Sequence, residues 1–331
     1  MKAITLTTAD GIQLKDVIQP LKAEPGHLLI KMDSCAINPG DKAFINRPLP
    51  GGAATSLYDI YGASGAGLVT DIGQGVPESY AFKKVAIYRS LKSSPNLIGT
   101  WCEYAHLPFL DCIILPENAI LEDYSASLVN AITAYAFLKQ TIEKGHKAII
   151  ATAGSSATGI ALLGFCLNYN FPIISIVRND KSKNELEALG AKNIVVQTNT
   201  AFKGELTTLA HELSATAVFD GVGGTILNQI IEAIPNQATI YTYGYLGGPQ
   251  QLSFHTSLLN VKGLTITGFS NGKSKIAQDS VLLANALNEI SHVISMPHFK
   301  TKTGRKFKME EIKNALLYVS ENGEKAILSP L

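Results

Sequence analysis

The stretch Ile149-Ile150-Ala151-Thr152-Ala153-Gly154-Ser155-Ser156-Ala157-Thr158-Gly159 leads a buried apolar run into a helix through small residues only. Phosphate groups reach a helix N-terminus only where no bulky side chain intervenes, because backbone N–H groups and the positive end of the helix dipole must face the charge directly. Gly154, Ser156 and Gly159 supply that clearance, with the small Ser155, Ala157 and Thr158 between them. The pattern departs from GxGxxG, since Ser156 stands where a glycine is expected, so the motif gains its weight from its surroundings. A tight strand-to-helix turn with no ligand is the competing reading.

Those surroundings are regular on both sides. Upstream, Asp123 caps an expected helix through Ser127, Leu128, Ile132, Tyr135 and Leu138, and Lys147 to Ala153 suits a fully buried strand. Downstream, strands are expected at Pro172 to Val177, Asn193 to Gln197, Ala217 to Asp220, Thr239 to Tyr243 and Leu264 to Thr267. Helices fall between them near Thr158 to Leu167, Ser182 to Leu189, Lys203 to Leu213 and Leu227 to Ala233. Repeated βα units of this length specify an α/β fold with a doubly wound parallel sheet, the context in which the small-residue turn holds a dinucleotide.

The end of the next strand separates the two common dinucleotides. An acid there would hold the ribose hydroxyls of NAD, whereas Val177-Arg178-Asn179-Asp180-Lys181 places Arg178 19 positions after Gly159. A guanidinium stacks on adenine and pairs with a 2′-phosphate, so Arg178 and Lys181 point to NADPH. The alternative makes this a solvated loop in which Asp180 binds a ribose.

The first ~120 residues read differently, as short alternating strands at Ala3 to Leu6, Leu28 to Met32, Gly67 to Thr70 and Val85 to Tyr88 between Pro/Gly turns, which suggests a compact all-β domain. The last ~50 residues return to mixed structure: helices from Ile276 to Ile290 and Glu310 to Val319, an extended segment near Phe307, and a strand at Lys325 to Leu328.

A length of 331 residues exceeds one ordinary core of ~100–200 residues and suits two domains. Lys and Arg number 28 against 27 Asp and Glu, and this near balance leaves little field for nucleic acid or anionic lipid. No apolar run approaches the ~18–20 residues of a membrane span, and the amino terminus alternates like a strand rather than a signal peptide, so a cytoplasmic protein is expected. Cys35, Cys102, Cys112 and Cys166 form no CxxC and read as buried thiols rather than a disulfide or zinc framework.

Several stretches, in this order and spacing, resemble the medium-chain dehydrogenase/reductase superfamily in its zinc-free quinone oxidoreductase-like and enoyl reductase-like branch. They are Ala36-Ile37-Asn38-Pro39-Gly40-Asp41, Gly62-Ala63-Ser64-Gly65-Ala66-Gly67-Leu68-Val69 with Ile72-Gly73, and Leu115-Pro116-Glu117-Asn118. Val129-Asn130-Ala131-Ile132-Thr133-Ala134-Tyr135, Leu189-Gly190-Ala191 and Phe219-Asp220-Gly221-Val222-Gly223-Gly224 continue the series. The resemblance covers essentially the whole chain. It implies a GroES-like β domain over 1–122, completed by 275–331, and a Rossmann NADPH-binding domain over 123–274. It implies that Asn38, Asn130 and Thr133 line the nicotinamide end of the cleft as catalytic residues. It also adds Gly221, Val222, Tyr243, Gly244, Phe269 and Ser270 to the cofactor contacts, and a homodimer formed through the Leu264 to Thr267 strand. Tyr241 is as well suited to core packing as to binding.

In zinc-dependent alcohol dehydrogenases of the superfamily a cysteine, a histidine and a second cysteine or acid hold the catalytic metal. The matching positions here are Asn38, Ala63 and Asn130, and an amide and a methyl group cannot form such a site. No metal is therefore expected. A C=C bond conjugated to a carbonyl, or a quinone, accepts hydride without a Lewis acid if hydrogen-bond donors hold the developing enolate. The expected function is NADPH-dependent reduction of quinones or α,β-unsaturated carbonyls, with Asn38 aiming its amide into the cleft; a turn-capping role is its competing reading. Enoyl-thioester reduction is an alternative, for which Lys300 to Lys308 is the one basic cluster. A non-catalytic NADPH-binding redox sensor is another. The proton donor is left open: the position implied for a catalytic tyrosine falls near Leu49, Tyr58 and Tyr61 follow it, and water could serve instead.

Overall fold

A computed structural model describes residues 1–7, 9–46, 56–89, 91–92, 94–320 and 323–330. The position near Leu49 lies outside the described residues. Along the chain run β1 (Lys2–Thr7), β2 (Gly11–Asp16), β3 (His27–Ala36), α1 (Pro39–Asn46), β4 (Ser64–Ile72), β5 (Lys84–Tyr88), β6 (Tyr104–Pro108), β7 (Cys112–Ile114) and α2 (Ser127–Glu143). Then follow β8 (Ile149–Ala151), α3 (Ala157–Asn168), β9 (Ile173–Val177), α4 (Asp180–Ala188), β10 (Asn193–Val196), α5 (Phe202–Glu212), β11 (Ala217–Asp220), α6 (Thr225–Ala233), β12 (Thr239–Thr242), α7 (Ser257–Lys262) and β13 (Thr265–Gly268). The remaining elements are α8 (Lys275–Gln278), α9 (Ser280–Val293), β14 (Thr303–Lys308), α10 (Ile312–Leu317) and β15 (Lys325–Ser329).

The chain divides into two compact units, Met1–Ile132 with Ile276–Leu331, and Thr133–Lys275. The division falls inside α2, so one helix carries the chain from the first unit into the second. In the first unit a mixed sheet runs β14-β15-β3-β4-β5-β7, with β6 also paired to β3, and β1 and β2 form a separate hairpin. Ile30, Met32, Val69, Val85, Ile87, Trp101 and Leu107 fill its core. The expected all-β character is interrupted by α1. Proline at the first helical position gives up no hydrogen bond, and the Asp41 carboxylate accepts the backbone N–H of Asn38 at 2.7 Å, so Asn38-Pro39-Gly40-Asp41 starts a helix.

The second unit holds the parallel sheet, in the order β10-β9-β8-β11-β12-β13. Ile150, Ile174, Ile176, Val218 and Ile240 point from four of its strands into a core shared with Leu206 of α5 and Ile226 and Ile230 of α6. Each such side chain contributes about 1.5–3 kcal/mol when fully buried. Because side chains alternate along a strand, Phe219 and Tyr241 point to the opposite face, where Phe137 of α2 packs on them. β8 and β11 are adjacent, but the chain leaves β8 toward β9 and β10, whereas β12 and β13 lie beyond β11. Connections thus diverge at the carboxyl ends of β8 and β11, the switch point at which open α/β sheets leave a crevice.

The long helix expected from Ile276 to Ile290 is two helices. Asp279 breaks it, because its carboxylate accepts the N–H groups of Val281 and Leu282 and so caps α9. Among the described residues no helix is long and apolar enough to cross a membrane.

Candidate functional site

At the switch point, the turn after β8 is built as the small residues dictate. Ala153 has a φ of 50°, and Gly154 donates its N–H to Ile176 O at 2.9 Å. A side chain at Gly159 would sit 2.6 Å from the carbonyl oxygens of Ala153 and Gly154, so only glycine lets α3 start this close to the strand. Ser156 precedes α3 and its Oγ accepts the Gly159 N–H at 3.1 Å. Serine in place of the expected glycine therefore caps the helix. Ser155, Ala157 and Thr158 are half-buried around it.

Across the crevice, Asp220 at the end of β11 is fully buried. Its Oδ1 accepts Thr152 Oγ1 at 2.7 Å and the N–H groups of Val222 and Gly223 at 3.1 and 3.2 Å, which ties this strand end to that of β8. Gly221 donates its N–H to Thr152 Oγ1 at 2.9 Å, and Gly244 packs against Gly221. Tyr243 follows β12 and stacks on Phe219 with ring centroids 3.8 Å apart and planes 13° from parallel. Its hydroxyl hydrogen-bonds with Ser156, and burial raises its pKa. Phe269, after β13, packs edge-on to Phe137 and Phe219, and the next residue, Ser270, is exposed. Arg178 and Lys181 are exposed at the end of β9, flanking Asn179, whose side chain accepts the Ser182 N–H and caps α4.

The second unit thus gathers the Gly154–Gly159 turn, Gly221, Val222, Tyr243 and Gly244 at adjacent strand ends. A turn of small residues, a helix N-terminus and a cation after the second strand are the set that a phosphorylated dinucleotide requires, and these residues fit NADPH.

In the first unit, Asn38 is nearly buried and its Nδ2 donates to Asp41 Oδ2 at 3.0 Å and to Ser64 Oγ at 2.8 Å. Both amide hydrogens are committed inside the protein, so the free atom is the acceptor Oδ1. Burial raises the Asp41 pKa, opposed by its bonds to Asn38 and by Arg89 and Lys325 nearby. Burial also lowers the Lys325 pKa to about 8. Ser64, Arg89 and Lys325 escaped sequence reading; Asp41 was visible three residues after Asn38 as a helix-start pattern. Tyr61 donates its hydroxyl to the backbone oxygen of Asp41 at 2.9 Å and stands edge-on to Trp101, and burial raises its pKa. Tyr58 is exposed.

On α2, Asn130 and Thr133 are one turn apart and half-buried, and Asn130 Nδ2 donates to the Ala126 carbonyl at 2.7 Å. With Asn38 committed to Asp41 and Ser64, Ala63 a methyl and Asn130 bonded to its own helix, the residues at the would-be ligand positions do not fit a zinc ion. Among the described residues no three His, Cys, Asp or Glu side chains gather as metal ligands elsewhere.

Residues 157–285 match the family described as zinc-binding dehydrogenase. Among curated proteins, the human synaptic vesicle membrane protein VAT-1 homolog is 24% identical over 69% of this chain and 56% of its own length. Quinone oxidoreductase-like protein 2 of Mus musculus is 23% identical over 62% of this chain and 59% of its own. The Escherichia coli quinone oxidoreductase solved in complex with NADPH superposes with a TM-score of 0.78 over 100% of both chains at 18% identity. The superposition shows a shared fold along the whole chain. Its two units carry a GroES-like and a Rossmann fold, and the segment matched by the family begins at the start of α3. The chain spans little more than half the length of the two curated relatives it matches here.

Proposed function

We propose that this chain is a medium-chain dehydrogenase/reductase, a zinc-independent, NADPH-dependent oxidoreductase that reduces quinones or the C=C bond of α,β-unsaturated carbonyls. The observation that carries the reading is the switch-point turn at α3 together with Arg178 at the end of β9. Gly154, Ser155, Ser156, Ala157, Thr158 and Gly159 receive the pyrophosphate, Arg178 and Lys181 the 2′-phosphate, and Gly221, Val222, Gly244, Phe269 and Ser270 the nicotinamide half. NADPH, when bound, supplies the hydride. Asn38 offers Oδ1 as an acceptor that orients an O–H or N–H of a ligand, and Thr133 offers a hydroxyl that steadies charge developing on the substrate oxygen. With Tyr61 bonded to Asp41 and buried, solvent water is the proton source after hydride addition.

The test is NADPH oxidation with alkyl vinyl ketones and 1,4-benzoquinone, set against saturated aldehydes and, with NADP⁺, primary alcohols. Turnover of the activated substrates, unchanged by chelators, supports the proposal; turnover confined to saturated carbonyls or alcohols defeats it. Enoyl-thioester reduction is the weaker reading, because in the basic stretch Lys300 pairs with Asp123 and Lys306 with Glu122, which removes cations that a phosphorylated acyl carrier would use.

The exposed edge strand of the parallel sheet, β13, is the surface through which two copies pair in this proposal, removing an open edge. Light scattering should then give a dimer at micromolar concentration, and a stable monomer would contradict it.

A further inference from the structure

The hydroxyl of Tyr243 bridges the two sides of the switch-point crevice. On one side it bonds with Ser156, the cap of α3 after β8. On the other it lies flat against Gly221 after β11, where a Cβ would come within 2.6 Å of its oxygen. The ring is held from behind, because Phe219 is itself stacked on Phe137 with centroids 3.9 Å apart, so Phe137, Phe219 and Tyr243 form one stacked column. The residue is half-buried, and burial raises its pKa.

The strip between the α3 N-terminus and the end of β11 is where a dinucleotide must cross an open α/β sheet. We propose that Tyr243 is an internal competitor for the dinucleotide: in the free protein its phenol fills the strip between Ser156 and Gly221, and binding requires that side chain to rotate out. The inference rests on the NADPH reading above. The backbone need not follow, because it is tied in place. Tyr243 N–H bonds Asp220 O at 2.8 Å, and the N–H groups of Leu246 and Gly247 bond the carbonyls of Gly221 and Val222 at 2.9 Å. Only the side chain is free to change, which makes the crevice a two-state element set by one rotamer. The apparent dissociation constant then equals the intrinsic one divided by the fraction of molecules with Tyr243 out. Removing the hydroxyl but keeping the ring raises that fraction by the worth of one hydrogen bond.

The experiment titrates NADPH and adenosine 2′,5′-bisphosphate, which lacks the nicotinamide half, into the wild type and Tyr243→Phe by calorimetry. Tyr243→Phe is expected to bind NADPH about 3–10-fold tighter and to bind the bisphosphate unchanged. In the wild type, nitration of Tyr243 by tetranitromethane, read by peptide mass, should rise several-fold when NADP⁺ is added. Equal NADPH affinities in the two proteins, tightening of both ligands alike, or nitration indifferent to NADP⁺ would overturn the competitor role and leave the NADPH reading standing. Absence of NADPH binding to either protein would bring down both.

Discussion

Asp41 accepts two N–H groups of Asn38 on one carboxylate oxygen, the backbone N–H at 2.7 Å and the side-chain Nδ2 at 3.0 Å. A carboxylate only accepts, so this pair decides which end of the Asn38 amide faces outward. Ser64 Oγ takes the remaining hydrogen at 2.8 Å, and the amide is held from both sides.

Asn38→Ala should therefore lower kcat/KM about 10–100-fold without abolishing NADPH binding, the cost of one oriented hydrogen bond in the transition state. Asp41→Asn still offers an oxygen to Asn38 and should lose less, whereas Asp41→Leu, which lets the amide turn, should fall as far as Asn38→Ala. Steady-state kinetics with benzoquinone compares the three. Equal losses in both Asp41 variants would show that orientation of the amide is not what Asp41 provides.

Lys325 gives a stability prediction with a definite sign. Burial lowers its folded pKa to about 8 from 10.5, against the attraction of Asp41 and with repulsion from Lys42. Between those values the unfolded chain binds more protons than the native one, so this group's contribution to stability rises with pH from about 8 to 10.5; below about 8 both states are charged and the full cost is present. Lys325→Met should stabilise the protein at pH 7 by about 1–3 kcal/mol, discounted for partial exposure, and the gain should fade as the pH approaches 10.5. Denaturant melts at pH 7 and pH 10 measure it. A variant less stable at pH 7 would mean that the attraction of Asp41 outweighs the burial cost.

Cofactor choice is the third test. Arg178 stands exposed at the end of β9, so NADPH should bind roughly 10–100-fold more tightly than NADH, in keeping with charge-assisted contacts to a phosphate. Arg178→Ala should bring the two affinities together in calorimetric titrations. Retention of the preference would shift the 2′-phosphate contact to other residues.

The parallel-sheet unit was legible because each of its strands is a short apolar run closed by small or turn residues; Ala217–Asp220 begins and ends where the pattern does. The first unit was harder. β2 is half exposed, with only Ile12 and Leu14 apolar, and pairs along its length with β1, and α1 hides among strands behind a proline. Asp279 sits inside an otherwise continuous apolar period, which conceals the break between α8 and α9. At the site, Asn38 and Asp41 are neighbours in sequence and could be paired on paper. Ser64, Arg89 and Lys325 reach them only through the sheet, from strands whose order no local pattern reveals.

The placement of β15 bears on how the protein is made. Ile327 pairs with Ala36 and Leu328 with Cys35, so β3 gains this neighbour only after about 290 further positions have been synthesised. The parallel-sheet unit is one uninterrupted segment and can close on itself while the ribosome is still adding the remainder. The first unit cannot: until Lys325–Ser329 emerges, the Cys35–Ala36 end of β3 lacks its neighbour, while β6 already covers His27–Lys31, so a short open edge of the kind that chaperones cover persists through synthesis.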